Sequence, residues 1–360
     1  MLKTVKIRDG HDNFFTPLRL FFATIVVLGH AYVIALRDVA MEPKLFFHYT
    51  LSFLAVNMFF IASGFLVTKS MLYRQDSASF ISARTLRIYP ALIVHVAFVM
   101  LIIGPLATNL PLKEFFTSPD WYLQPFMVLS FFETNMVMPG IFATNAESLG
   151  SAPLWTLRYE VLAYIGTLCL FLIGFMRQRW MLLAQFVLPC AAYVLCHSTG
   201  VIDALPATAQ NILRFGIAYG LGATIYAYRE HLSFHWFMLP VFLGLAYLTH
   251  QNVLSEITVN LFLAYGVMLV AYTKMPKLSW LKKLSDTSYG VYIYHWAVLQ
   301  TLFYYMPSLS VMQLFAIGLP ITAALAWLSW TYVEKPMLAK KAWMANLWPG
   351  SARKALTPAE

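Results

Sequence analysis

Arg19 and His30 stand in one apolar run of the chain, Leu18-Arg-Leu-Phe-Phe-Ala-Thr-Ile-Val-Val-Leu-Gly-His30. At about 100° per residue their spacing puts both side chains on one helix face, ~16 Å apart along the axis. In a helix that crosses a bilayer, this is a permanent cation near one surface and an imidazole deep inside. Ionisable groups at that depth are costly and line sites or passages. An imidazole there can serve as a general base, and a neighbouring carboxylate would fix its tautomer and raise its basicity.

Residue counting suggests companions. His30 is expected ~20 Å from the inner surface and ~10 Å from the outer one. Glu160, six residues into Trp155-Thr-Leu-Arg-Tyr-Glu160, is expected ~9 Å below the outer end of its helix, and Arg214 ~8 Å below the end of its own. Glu160 is therefore expected to support His30. Arg158 and Glu160 point about 200° apart on their helix and do not pair. Plain alternatives stand beside these roles: an interhelical hydrogen bond for His30, and snorkelling to the outer interface for Arg158 and Arg214. A carboxylate at the depth of Glu160 needs a partner in either case.

A second cluster lies at the opposite end. Arg84 and Arg87, three apart before an apolar run, share a helix face and can grip phosphate oxygens in bidentate fashion; topology and contact with anionic lipid would explain them equally. With Arg19 they form a basic mouth, joined by a polar passage to a base in the outer half. That layout suits a charged donor held inside and an acceptor waiting outside. Coenzyme A is one donor that fits, its extended arm being of the same order as the Arg19–His30 separation, but spacing alone does not name the donor.

The elements that must position these groups are membrane helices. The chain is 60% hydrophobic and 11% charged, where a soluble domain carries about 25% charge. Ten apolar runs are long enough to span, near 17–36, 47–69, 89–108, 154–175, 180–198, 209–228, 234–250, 253–273, 288–306 and 311–333. Thr16 and Pro17 suit the N-cap and first turn of the first, which reads as a retained span and not a cleaved signal peptide. With the N-terminus inside, the inner segments hold 19 of the 25 Lys and Arg residues. The outer loops hold only Arg37, Lys44 and Lys113, which predicts an N-in, C-in topology. The outer segment 109–153 contains a Pro-interrupted stretch, 121–132, too short to span; a re-entrant or interfacial piece is expected there.

The expected fold is thus all-α and integral to the membrane: one bundle over residues 1–335, followed by a loosely ordered basic cytoplasmic tail, 336–360. The net charge of +9 is spread between spans and argues for orientation, not for nucleic acid. Cys169, Cys190 and Cys196 lie in apolar segments with neither zinc-site nor disulfide spacing. The nine His residues show no ligand pattern, so no metal is expected.

Six segments together resemble the bacterial acyltransferase 3 family of membrane-bound O-acyltransferases that act on surface polysaccharides and related glycans. They are the Arg19-x10-His30 pair, Phe59-Phe-Ile-Ala-Ser-Gly-Phe-Leu66, Arg84-Thr-Leu-Arg87, Leu154-Trp-Thr-Leu-Arg-Tyr-Glu160, Ser288-Tyr-Gly-Val-Tyr-Ile-Tyr-His295 and Tyr332-Val-Glu-Lys-Pro336. The resemblance implies that His30 is the catalytic histidine and Arg19 its functional companion. Arg84 and Arg87 would lie at the cytoplasmic acyl-coenzyme A site, and Glu160 would belong to the transfer site. His295, ~10 Å from the inner surface by counting, would line the thioester passage or bond a neighbouring helix. Many members carry an acidic residue where Asn57 stands, which weakens any role for that position. No hydrolase-like domain follows the last span, so transfer is expected within the membrane unit.

The reading is an acyl-coenzyme A-dependent O-acyltransferase of the bacterial cytoplasmic membrane. It would move an acyl group, acetyl in the simplest case, to a hydroxyl of an extracytoplasmic or lipid-linked sugar. His30 would act as general base or as an acyl relay. Arg158, Arg214, Trp155 and Tyr159 would hold the acceptor or the developing oxyanion. Membrane lipid, polysaccharide assembly machinery or a second copy of the chain are the partners to be expected. The alternative is a glycan flippase using the same polar residues as a path. The absence of an internal repeat and of paired broken helices speaks against it.

Overall fold

A computed structural model describes residues 4–8, 10 and 12–348. Lys3 and the tail from 349 onward lie outside the described residues. Eleven helices account for most of the chain: α1 (Phe15–Leu36), α2 (Leu51–Arg74), α3 (Ser77–Ala107), α4 (Pro119–Leu129), α5 (Trp155–Leu172), α6 (Arg179–Ser198), α7 (Ala207–Ala227), α8 (Met238–Leu248), α9 (Ser255–Tyr272), α10 (Ser288–Tyr305) and α11 (Val311–Asn346). Among the described residues, the strands are two short antiparallel pairs. Val5–Lys6 pairs with Ser233–Phe234, and Lys44–Phe46 folds back on Tyr49–Thr50.

Local chemistry sets the ends. The Thr50 hydroxyl accepts from Phe53 N at 3.3 Å to start α2. Gln75 closes it in the left-handed region (φ 50°), and the Asp76 carboxylate at once caps α3 through Ala78 N and Ser79 N. Ser310 and Gln313 form a capping box at α11. The expected cap of α1 is different: the helix begins at Phe15, and Asn13 Oδ1, not Thr16, accepts from Phe15 N at 3.2 Å.

Each of the ten apolar runs contains a helix, and six helices (α1, α2, α3, α6, α9 and α11) are long and apolar enough to cross a membrane. Helices α5, α7 and α10 are as long but less apolar, because they carry Arg158 and Glu160, Arg214, and the Tyr- and His-rich face of 288–295. Helix α8 has 11 residues, about 16 Å, or half the hydrocarbon core. The start of its run is taken up by the Ser233–Phe234 strand and the turn after it.

The irregular chain of segment 109–153 that packs among the helices lies mostly after the apolar stretch 121–132. Residues 119–129 form α4, and the chain that follows it descends into the bundle. Arg158 Nε and an Nη donate to the carbonyls of Phe131 and Phe132 at 2.8 and 2.7 Å. Further along, Asn145 bonds Gln300, Gln300 Nε2 donates to the Glu147 carbonyl and Trp296 Nε1 to that of Leu149, and Ser151 meets His95. Backbone at membrane depth needs such partners, since no water is there to supply them.

The C-terminal segment also departs from expectation. Helix α11 continues through a π-turn at Trp330–Glu334 into Lys335–Ala339 and Lys341–Asn346. Glu334 is fully buried; it accepts from Ser329 Oγ at 3.1 Å and faces Arg87 at 3.6 Å. The Tyr332-Val-Glu-Lys-Pro336 segment thereby ties the end of α11 to α3, and residues 336–346 of the expected loose tail are helical apart from a turn at Lys340.

One ion cluster joins four elements at this end. Asp286, in the turn before α10, receives Arg19 of α1 and Arg87 of α3 on the same oxygen, Oδ2, each at 2.8 Å, and Ser288 Oγ on the other. Burial works to raise the Asp286 carboxyl, but the two guanidiniums outweigh it and hold it down to about 2. An unfolded Asp titrates near ~3.9. The stabilisation is therefore complete above about pH 4 and is lost as pH falls through the folded value. Asp286→Asn leaves the Arg19 guanidinium without its carboxylate and Arg87 with Glu334 alone, and is expected to cost about 3 kcal/mol, the lower end of the range for a broken buried pair because the side chain is 23% exposed. Thermal unfolding in detergent should show a wild-type-to-variant gap that is constant from pH 8 to 5 and narrows only below about pH 4.

Candidate active site

Helices α1 and α10 leave the Asp286 cluster side by side. From Arg19 to His30 is ~16 Å, and from Asp286 to His295 is ~14 Å, so the two imidazoles arrive at one level. His30 Nδ1 lies 2.7 Å from His295 Nε2, with the rings stacked at 5.0 Å and 13°, and the edge of Trp296 closes the other side at 5.1 Å. Counting from the first apolar residue had kept His295 near the inner surface and away from His30. The start of α10 is held level with Arg19 by the Asp286 ion pair, so that equal rises along the two helices bring the rings together.

This contact assigns the protons. His295 Nδ1 lies 3.2 Å from the Val291 carbonyl, which can only accept. In the neutral ring, Nδ1 therefore carries the hydrogen and Nε2 accepts. His30 Nδ1–H donates to it, and His30 Nε2 is left with its lone pair free. A backbone carbonyl one turn below His295 thus fixes the tautomer of His30, the task the sequence had given to Glu160.

Glu160 lies elsewhere. Its carboxylate accepts a short hydrogen bond from Tyr164, and it lines two cavities together with Arg19 and Ser63. The smaller, about 40 Å³, is closed by Thr156, Tyr289 and Tyr292. The larger, about 320 Å³, opens among Arg84, Arg87 and Asp286. Among the described residues no carboxylate is hydrogen-bonded to His30 or His295, so the expected Glu160–His30 support is not present. The cause is the descending loop: α5 begins below the level of Trp296, and Glu160 lies a further ~8 Å on from Trp155. Tyr292 links the two regions. It lines the small cavity, bonds Thr156 at 2.6 Å, and its ring lies 6.1 Å from that of His295.

Of the residues expected to hold an acceptor, Trp155, Tyr159 and Arg214 meet around Phe215, the two rings at 5.8 and 5.2 Å from it, and Arg158 turns away from them. Trp155 is partly exposed and edge-on to buried Tyr159 at 5.7 Å. Arg158 is committed to the loop carbonyls. Arg214 is enclosed between the rings of Phe53 and Phe215, at 3.6 and 4.7 Å. It donates to Asn57 Oδ1 at 3.0 and 3.2 Å and faces Glu256 at 4.0 Å. Asn57 in turn donates to Glu256 Oε1, as does Asn260. Asn57 thus has a role after all: it bridges a guanidinium to a carboxylate supplied by α9.

Sequence reasoning missed Asp286 and Glu256. Each had a visible signal, an isolated acid directly before or just inside an apolar run, with basic residues as its natural partners. Arg214→Ala should cost about 3–5 kcal/mol by stranding Glu256 in the bundle. Replacing both, as Arg214→Met with Glu256→Gln, should recover most of that loss; melting temperatures in detergent measure both.

The chain is similar to known proteins over nearly its whole length. Over 355 residues the chain is 28% identical to nodulation protein 10 of Rhizobium leguminosarum bv. viciae, covering 92% of this chain and 94% of that protein. Over 334 residues it is 25% identical to an O-acetyl transferase of Shigella phage Sf6, with 91% and 97% covered. No solved structure matches the chain. Residues 13–331 match the family described as the acyltransferase domain, a span that holds the Arg19–Asp286–Arg87 cluster, the smaller cavity and the His30–His295 pair. The chain is a multi-pass membrane protein of the acyltransferase 3 family.

Proposed function

We propose that this protein transfers an acetyl group from cytoplasmic acetyl-coenzyme A to a hydroxyl of an extracytoplasmic or lipid-linked sugar, in a bacterial cytoplasmic membrane. The observation that carries the proposal is the His30–His295 bond, which leaves Nε2 of His30 as a free base on the helix whose other end, Arg19, lines the basic cavity. The relative named O-acetyl transferase supports both the acyl group and the oxygen acceptor.

In this mechanism coenzyme A enters by the basic cavity and its thioester passes Arg19 and Glu160 toward Tyr292. His30 Nε2 takes the proton of the sugar hydroxyl as its oxygen attacks the thioester carbonyl. A C–O bond forms, the C–S bond breaks, and the proton passes from His30 to the departing sulfur. Trp155 is the accessible ring that an acceptor sugar can meet. Arg158 and Arg214 hold the surrounding helices and loop. Glu160 acts on the donor side, paired with Tyr164.

Mass analysis of surface glycans from cells carrying variants tests this reading. The wild-type protein should add the mass of one acetyl group, and His30→Ala should add none while remaining folded in the membrane. His295→Phe removes the acceptor that sets the His30 tautomer and should slow transfer by about 10²-fold or more. His295→Gln, which can offer a carbonyl oxygen, should recover part of it. Unchanged acetylation by His30→Ala would refute the mechanism, and equal rates for the His295 variants would remove His295 from it.

A further inference from the structure

The basic cavity contains more cation than the Arg84-Thr-Leu-Arg87 segment supplies. Arg74, at the last turn of α2, and Lys341, in the C-terminal part of α11, line it beside Arg19, Arg84 and Arg87. Against these five charges stand two carboxylates, Asp286 and Glu160. The charges are not equivalent. Arg19 is bonded to Asp286, and Arg87 lies between Asp286 and buried Glu334. Glu160 is hydrogen-bonded by Tyr164. Arg84 makes no hydrogen bond or ion pair among the described residues. Its guanidinium lies over the rings of Phe80 and Tyr164 at 5.8 and 5.4 Å, and its Nε is buried without a partner. A buried, unsatisfied cationic N–H costs free energy unless a ligand meets it. Arg74 and Lys341, both exposed, likewise form no ion pair among the described residues.

From this distribution we infer that Arg74, Arg84 and Lys341 form the phosphate-binding set of the donor site, while Arg19 and Arg87 belong to its frame. Three uncompensated cations from three helices around a cavity of about 320 Å³ suit a ligand bearing several phosphate oxygens, and a guanidinium flanked by a second guanidinium and an ammonium binds such groups strongly. The C-terminal helix, carried to the cavity by the Glu334–Arg87 pair, is then part of the donor site. This inference rests on the donor reading above, and it shifts phosphate recognition from Arg19 and Arg87 to Arg74 and Lys341.

Equilibrium binding of coenzyme A itself, without an acyl group, to the purified protein in detergent tests it independently of glycan chemistry. Lys341→Glu and Arg74→Glu change exposed side chains and leave the fold intact. Each should weaken coenzyme A binding about tenfold or more and flatten its salt dependence. Pantetheine, which lacks the phosphates, should bind wild type and both variants equally. Tight coenzyme A binding unchanged in both variants would overturn the inference and leave the donor reading standing. Failure of wild type to bind coenzyme A at all would overturn both.

Discussion

One carboxylate oxygen of Asp286, shared by Arg19 and Arg87, sets the frame for the rest of the molecule. Burying two guanidiniums near a membrane is unfavourable unless a carboxylate meets them with good geometry. Satisfying that requirement fixes three things together. The first turn of α1 and the start of α10 lie level, so that the two helices run in parallel to a common depth. Arg87 is turned toward Glu334, which brings the C-terminal helix against α3. Two of the five cavity cations are neutralised, and the remaining charge is concentrated on Arg74, Arg84 and Lys341.

The same frame makes the His30–His295 pair intelligible. Neither ring needs a carboxylate, because the Val291 carbonyl already fixes the proton on His295 and, through it, the proton on His30. A neutral orienting partner suits a site packed among apolar side chains, where a charged one would carry a desolvation penalty. The descending loop 131–153 completes the enclosure. Its backbone is bonded by Arg158, Trp296 and Gln300, which satisfies carbonyls of an irregular chain packed among helices.

How much of this was legible in the sequence depended on the range of the interaction. Helix existence, the Arg19–His30 face and the basic mouth follow from periodicity and charge within single segments, and each has its counterpart in the structure. Depth did not follow. Counting from the end of an apolar run ignores what holds each helix start, and α5 and α10 are both held by partners far away in sequence. One is bonded to a loop that packs among the helices and the other is pinned by Asp286. Glu160 accordingly meets Tyr164 and the basic cavity instead of His30, and His295, expected to line the thioester passage or bond a neighbouring helix, bonds His30 of α1. The partners of Arg214 were equally hidden, since Asn57 and Glu256 come from helices far apart in sequence. The tail was read as loose from its polarity, yet Glu334 meets Arg87 of α3 and Ala345 is buried, so the chain is held as far as Asn346.

The central claim is that a donor held at one face of the membrane acylates an acceptor presented from the other. Sealed inside-out vesicles containing the protein, with acceptor glycan enclosed and labelled acetyl-coenzyme A supplied outside, test it directly. The account predicts label on the enclosed glycan while the coenzyme A remains outside. Glycan that crosses the membrane without acquiring label would contradict it and identify a transporter instead.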